Sequence, residues 1–294
     1  MVKPKNQSLS PGWAVVASAL FIFFWASGFV AAKYGLPYTE PFTFLTLRFL
    51  VALIILIPLA YIWRVRWPNT PTSLLHVVVS GLLVQTTYLT GVFYGIYLGL
   101  STGVMALIVG IQPLMTGSLA SSVLSERVSA KQWVGLGLGF VGLGLVVSEK
   151  VDLSGQGMWA ILFSLLALIG ITIGTIYQKR FCSGVDVRAA VTIQNASSCV
   201  IICVLAFFFE PLEIQWTVEF IFALTWSGIG LSVIALALYF FLVQRGAAAK
   251  VTSLIYLSPP TTAVMGWLMF DETFATLAMI GMAVAVAGVA MVNR

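Results

Sequence analysis

Apolar residues run through this chain in long stretches, broken at short intervals by charged or Pro/Gly-rich joints. Ten stretches stand out, at roughly 13–33, 41–62, 74–97, 101–124, 133–148, 157–178, 189–209, 218–243, 251–270 and 274–292. An α-helix needs about 20 apolar residues to cross the hydrocarbon core of a bilayer. A lipid-exposed backbone must also satisfy its own hydrogen bonds, so the pattern predicts an all-α integral membrane protein of ten transmembrane helices. The first stretch follows Lys3 and Lys5 as a signal peptide would. It is too long for a signal core and has no convincing cleavage site, so it is expected to be a span.

Composition agrees with the pattern. The 294 residues are 60% hydrophobic and 9% charged, against roughly 25% charged in soluble domains. That excludes a soluble enzyme, a disordered chain and a secreted module. Cys182, Cys199 and Cys203 make neither a disulfide framework nor a metal-binding cluster. The net charge of +5 takes its meaning from where the charges lie. With the N-terminus in the cytoplasm, twelve of the fifteen Lys and Arg fall on that side, Lys33 and Lys150 fall on the other, and Arg48 lies inside a span. Eight of the ten acids lie opposite the twelve. The bias predicts cytoplasmic N- and C-termini in the cell (inner) membrane. It reports topology and implies no nucleic-acid partner.

The chain also repeats itself. A shift of 146 residues aligns its halves without a gap: Gly28 falls on Gly174, Lys33 on Lys179, Thr46 on Thr192, Pro113 on Pro259, Thr116 on Thr262 and Glu126 on Glu272. Gly135 meets Gly281 and Gly142 meets Gly288. Five spans per copy is an odd number, so the second copy crosses in the opposite sense. Two five-helix inverted repeats are expected, at 13–148 and 157–294. Secondary transporters use this plan and bind solute near the midplane between repeats.

With that architecture, particular residues resemble the drug/metabolite transporter superfamily, and within it the EamA-type exporters. They are the run Phe24-Trp25-Ala26-Ser27-Gly28-Phe29-Val30-Ala31-Ala32-Lys33, Arg48-Phe49-Leu50, Gln112-Pro113, and Glu126 before a Gly-rich fifth span, with Pro259 and Glu272 repeating the last signals. The resemblance covers essentially the whole chain. It implies a ten-helix exporter of amino acids, other metabolites or drugs, and leaves the solute open. Ile171 stands where the repeat would place Trp25, and Gln194 where it would place Arg48. The small multidrug relatives couple protons through an intramembrane Glu. No acid lies deep within a span here, Glu219 being the second residue of the eighth, so that mechanism has no residue to use.

Polar residues within the spans are the candidates for solute contact. Thr87, Thr90, Tyr94 and Tyr97 share one face of the third span, flanked by Gln85 and Tyr88. Met105, Gln112 and Thr116 share a face of the fourth, and Thr172, Thr175 and Gln178 step along the sixth. Ser232 and Tyr239 mark the eighth span, and Ser253 and Tyr256 the ninth. Such groups either line a wet cavity or hydrogen-bond across helices. The expected substrate-binding set is Trp25, Gln85, Tyr88, Tyr94, Gln112, Thr175, Tyr239 and Tyr256. Arg48 is a candidate anion contact, the alternative being a structural cation that snorkels or binds carbonyls. Interfacial packing is the leading reading of His76, and apolar packing that of Cys199 and Cys203. Pro113 and Pro259 are candidate hinges, because proline removes an N–H and displaces a carbonyl; static kinks are the alternative. The Gly-rich fifth and tenth spans are scaffold.

The function expected is export of small amphipathic metabolites by alternating access. A passive channel or facilitator of the same fold and a multidrug exporter are the alternatives. An intramembrane enzyme would need an acidic dyad, a Ser/His pair or a metal cluster; the lone His76 near one surface and the empty acid inventory argue against all three. No cofactor is implied. The partners are a small-molecule metabolite and the bilayer, with coupling to protons or a counter-solute open.

Overall fold

The computed structural model describes residues 11–113, 115–116, 119, 133–135, 137–138, 141–142, 145, 156–235, 238, 257–273 and 276–292. The helices are α1 (Pro11–Gly35), α2 (Pro41–Ile62), α3 (Pro71–Gly81), α4 (Tyr88–Tyr97), α5 (Thr102–Gly110), α6 (Gln156–Phe181), α7 (Val187–Phe209), α8 (Val218–Thr225), α9 (Ser258–Phe270) and α10 (Thr276–Val292). α3 and α4 are one rod, joined by a π-helical segment, Leu82–Thr87; a second π segment, Trp226–Ala235, continues α8. Among the described residues the only β pairing is an isolated bridge between Thr39 and Ile214. Where both ends of a predicted span are described, the helix ends lie within three residues of the expectation.

Local chemistry sets those ends. Pro41 and Pro71 occupy first-turn positions, where the missing N–H costs nothing. Side chains of Thr70, Ser101, Asp186 and Thr217 accept from the N–H groups of Ser73, Val104, Arg188 and Phe220, capping α3, α5, α7 and α8. Among the described residues five helical rods are long and apolar enough to cross a membrane: 16–38, 41–62, 71–97, 156–181 and 187–209. Large apolar side chains cover the outside, with Ile54, Phe208 and Phe209 more than 70% exposed, whereas Phe21, Phe44, Phe49 and Phe220 are fully buried. Only lipid makes such a surface stable.

Packing follows the repeat. α2 lies on α7, its own repeat counterpart, and α5 lies on α9. α3 and the first π segment pack on α6 as α8 and the second π segment pack on α1, and they pack on α7 as α8 and the second π segment pack on α2. Exchanging the two copies leaves this last set of neighbours unchanged, which is an approximate two-fold arrangement. The π segments obey it too, since 82–87 shifted by 146 falls within 226–235. In the first, the Thr87 hydroxyl donates to the Leu82 carbonyl five residues back (2.9 Å), supporting the wide turn. The sequence pattern predicts plain α-helix here. Hydrophobic periodicity is too coarse to register a single widened turn.

Candidate functional site

The helix ends near residues 33–43, 94–102, 210–217 and 270–272 gather on one face, called outer here after the Lys/Arg expectation. Two buried carboxylates hold it. Glu210 follows α7 and precedes Pro211. Its Oε1 accepts from the Phe42 N–H (2.7 Å) and the Tyr94 hydroxyl (2.9 Å). Its Oε2 accepts from the Thr43 N–H (2.7 Å) and hydroxyl (2.8 Å). An anion at the N-terminus of α2 meets unpaired N–H groups and the positive end of the helix dipole. Burial, and then the charges of Glu210 and Glu213, push the neighbouring Glu40 carboxyl above its usual range.

Glu272 is the second clamp. Lys33 Nζ donates to its Oε1 at 2.7 Å, and so does the Thr102 N–H at 2.9 Å. The Thr102 hydroxyl donates to Oε2 at 2.9 Å. Asp271, in the left-handed region at φ 51, ends α9 and turns the chain so that Glu272 folds back over the helix. Gly266 makes room: a Cβ there would fall on the Glu272 carboxylate and the Thr102 hydroxyl. Burial opposes the charge on Glu272, but Lys33 and the Thr102 donors outweigh it and hold the carboxyl below the usual range. One side chain thereby ties the end of α1, the start of α5 and the α9–α10 turn together.

Deeper in, Gln112 Nε2 donates to the Thr116 hydroxyl (2.9 Å) and the Thr175 hydroxyl (3.3 Å), and Thr175 Oγ1 donates to the Ile171 carbonyl (2.6 Å). The structure thus brings Gln112 and Thr175 together. Tyr94 goes elsewhere, into the outer clamp, stacked on Phe163 at 4.9 Å. Gln85 lies in the first π segment, with Tyr88 one turn on; both are half-buried. Trp25 packs with Phe21, Ala17 and Leu238. Arg48 is buried between α2 and the second π segment. Tyr239 and Tyr256 lie outside the described residues, as do Ser253 and Glu126.

A turn precedes each of the two prolines. α5 stops at Gly110, and Ile111 is a turn two residues before Pro113. Leu257, 146 residues on, is a turn two residues before Pro259, which occupies the first turn of α9. The Pro259 ring lies against Gly110, where α5 and α9 cross. In the described chain Pro259 therefore begins a helical segment.

The opposite face carries a groove of about 770 Å³ lined by Arg66, Trp67, Asn69, Phe181, Asp186 and Arg188, away from the polar interior. Asp186 and Arg188 pair at 2.7 Å, which holds the Asp186 carboxyl below its usual range. His76 Nδ1 lies 2.7 Å from the Tyr177 hydroxyl and its ring stacks on Phe181, an interfacial packing role.

Sequence reasoning counted Glu210 only as a loop charge, and Glu272 as an outer charge and a repeat and family signal, without giving either a partner. A usable signal existed for the second. Lys33 and Glu272 both have identical repeat counterparts, Lys179 and Glu126, although nothing local says that they meet. Comparison with known proteins agrees with this architecture. A Bacillus subtilis protein described as an uncharacterized transporter, YvbV, is 27% identical over 283 residues, covering 94% of this chain and 90% of its own. A Salmonella typhimurium protein described as a probable amino-acid metabolite efflux pump is 27% identical over 161 residues, covering 55% of this chain and 52% of its own. A solved crystal structure at 17% identity superimposes with a TM-score of 0.67 over 96% of this chain and 98% of that one, and so shares the fold. The sequence profile of the EamA-like transporter family matches twice in tandem, over residues 12–148 and 158–294. A ten-helix membrane transporter of two inverted repeats, the chain belongs to the EamA-like transporter family.

Proposed function

We propose that the protein is a secondary transporter of the cytoplasmic membrane that exports small amphipathic metabolites, amino acids or related compounds, by alternating access between the repeats 13–148 and 157–294. The observation that carries this reading is a closed outer end beside paired turns, each two residues before a proline. α5 and α9 are held together at Thr102, Gly266 and Glu272, and a turn lies two residues before each of the repeat-related prolines. Opening that end requires the Glu272 clamp to release and the half-helices to part, and the prolines are where they would bend. By the inverted symmetry the same motion closes the opposite end. Gln112 with Thr175, and Trp25, Gln85, Tyr88, Tyr239 and Tyr256, are the proposed solute contacts, while Tyr94 would move with the outer clamp. The description of the Salmonella relative supports amino-acid metabolites as the solute class.

The test is efflux from proteoliposomes loaded with amino acids. Saturable flux above that of empty vesicles is expected, with slowing in Pro113→Ala and Pro259→Ala at little cost in binding. Accumulation against a gradient separates a coupled exporter from a facilitator. Wild-type flux in both proline variants would remove the hinge, and the absence of flux for every solute would remove the function.

A further inference from the structure

Arg48 begins the third turn of α2, roughly 10 Å along the helix from Pro41 at about 1.5 Å per residue. It is 8% exposed, and its single hydrogen bond is long, from Nε to the Ser227 carbonyl at 3.4 Å. Nη1 is buried without a partner. Among the described residues no carboxylate lies at that depth: Glu40, Asp186, Glu210, Glu213, Glu219, Asp271 and Glu272 sit in joints and at helix ends. Tyr88 is the titratable group beside it. The guanidinium also lies 5.6 Å from the centre of the Phe49 ring, but a cation with no carboxylate beside it is costly in a membrane protein interior and marks a solute path by default.

The repeat supplies an internal control. Position 194 is the counterpart of position 48, and it holds a neutral Gln194 whose Nε2 donates to the Ser80 hydroxyl at 2.8 Å. Both residues sit where a glycine lets two helices touch. A Cβ on Gly81 would come within 2.8 Å of Gln194 Cα, and one on Gly228 within 3.4 Å of the Arg48 carbonyl oxygen. Both crossings adjoin a π segment. The helix contact is therefore made in one copy with a neutral amide, and packing does not account for the charge in the other. A guanidinium with an unpartnered nitrogen has a donor to offer a carboxylate, the anion whose geometry it matches best.

We propose that Arg48, with Tyr88 beside it, receives the carboxylate of the exported solute, so that the transporter selects amphipathic carboxylates and excludes amines that lack one. This rests on the transport function proposed above. The test uses the full-length wild type with Arg48→Gln and Arg48→Lys, in thermal shift and proteoliposome flux, with matched probes: leucine against isopentylamine and phenylalanine against phenethylamine. In the wild type the two amino acids should stabilise and be carried, and the two amines should do neither. Arg48→Gln should lose about tenfold or more in apparent affinity for the acids, with a melting temperature equal to or above wild type. Arg48→Lys should retain part of the acid preference.

Three results overturn the inference while leaving transport standing. They are amines carried as well as acids, acid affinity unchanged in Arg48→Gln, or loss of flux in step with loss of melting temperature in both variants. A wild type that moves none of the four probes overturns the transport of small amphipathic metabolites itself.

Discussion

At the scale of single residues, the outer face depends on two carboxylates whose partners are mostly backbone N–H groups and hydroxyls. Removing one strands its donors. Glu272→Ala leaves the Thr102 N–H and Lys33 without their acceptor, and the penalty for a stranded buried donor is about 1–3 kcal/mol. Thermal unfolding in detergent should show that loss, and an unchanged melting temperature would mean that the clamp is idle. The same group predicts a pH dependence. The folded Glu272 carboxyl lies below its ordinary value of 4.5, so its contribution is complete above that pH and falls away as pH drops through the lower folded value. Between pH 7 and pH 3 the melting-temperature gap between wild type and Glu272→Gln should therefore shrink, and a gap that widened on acidification would reverse the assignment. Tyr94→Phe deletes one hydrogen bond to Glu210. It should cost about 0.6 kcal/mol, the average for such bonds between membrane helices, with flux per folded molecule kept within a few-fold. Loss of flux at unchanged stability would return Tyr94 to the solute path.

At the scale of elements, the informative features are those that depart from straight α-helix. The segments 82–87 and 226–235 are wide-turned in related places, and one adjoins Arg48 while the other carries Gln85. A π turn holds its backbone less well than the α-helix on either side. Amide hydrogen exchange in both segments should be faster than in the middle of α6, and equal protection throughout would contradict the assignment. Gly266 makes a second claim at this scale. Gly266→Ala places a methyl group where Glu272 and Thr102 meet, so α5 and α9 should separate at their outer ends. Cysteine labelling near Thr102 from the outside should rise, and Gly266→Ser should behave alike.

At the scale of the whole molecule, the ends that gather on each face follow from an odd number of spans per repeat. Glu213 lies on the clamped face, where its carbonyl accepts from the Thr39 hydroxyl, and Ser183 lies at the groove on the other. In a Cys-free background, Glu213→Cys should react with an impermeant maleimide in intact cells, and Ser183→Cys only after permeabilisation. The reverse pattern would invert the orientation expected from the Lys/Arg count and leave the fold untouched.

What the sequence determined by itself is whatever solvent and chain continuity dictate. Apolar runs in lipid must be helices, so span positions, their number and the all-α class were readable, and caps and prolines set the ends to within a few residues. The repeat was readable because two bundles built alike keep the same Pro, Lys, Glu and Gly at one offset. The tertiary structure alone decided which polar groups meet. Tyr94 and Gln112 looked alike as members of polar helical faces, yet one joins Glu210 and the other Thr175. Glu272 looked like an outer charge and a repeat signal without a partner until the turn at Asp271 carried it to Lys33 and Thr102. The sequence also marked Arg48 against Gln194 as a break in the repeat, but only the packing of α2 on the π segment shows a neutral amide satisfied in one copy and a guanidinium nitrogen unpaired in the other. The reason is physical. Helix formation is a local response to solvent, whereas a hydrogen bond between residues 239 apart in the chain depends on where every intervening helix has packed.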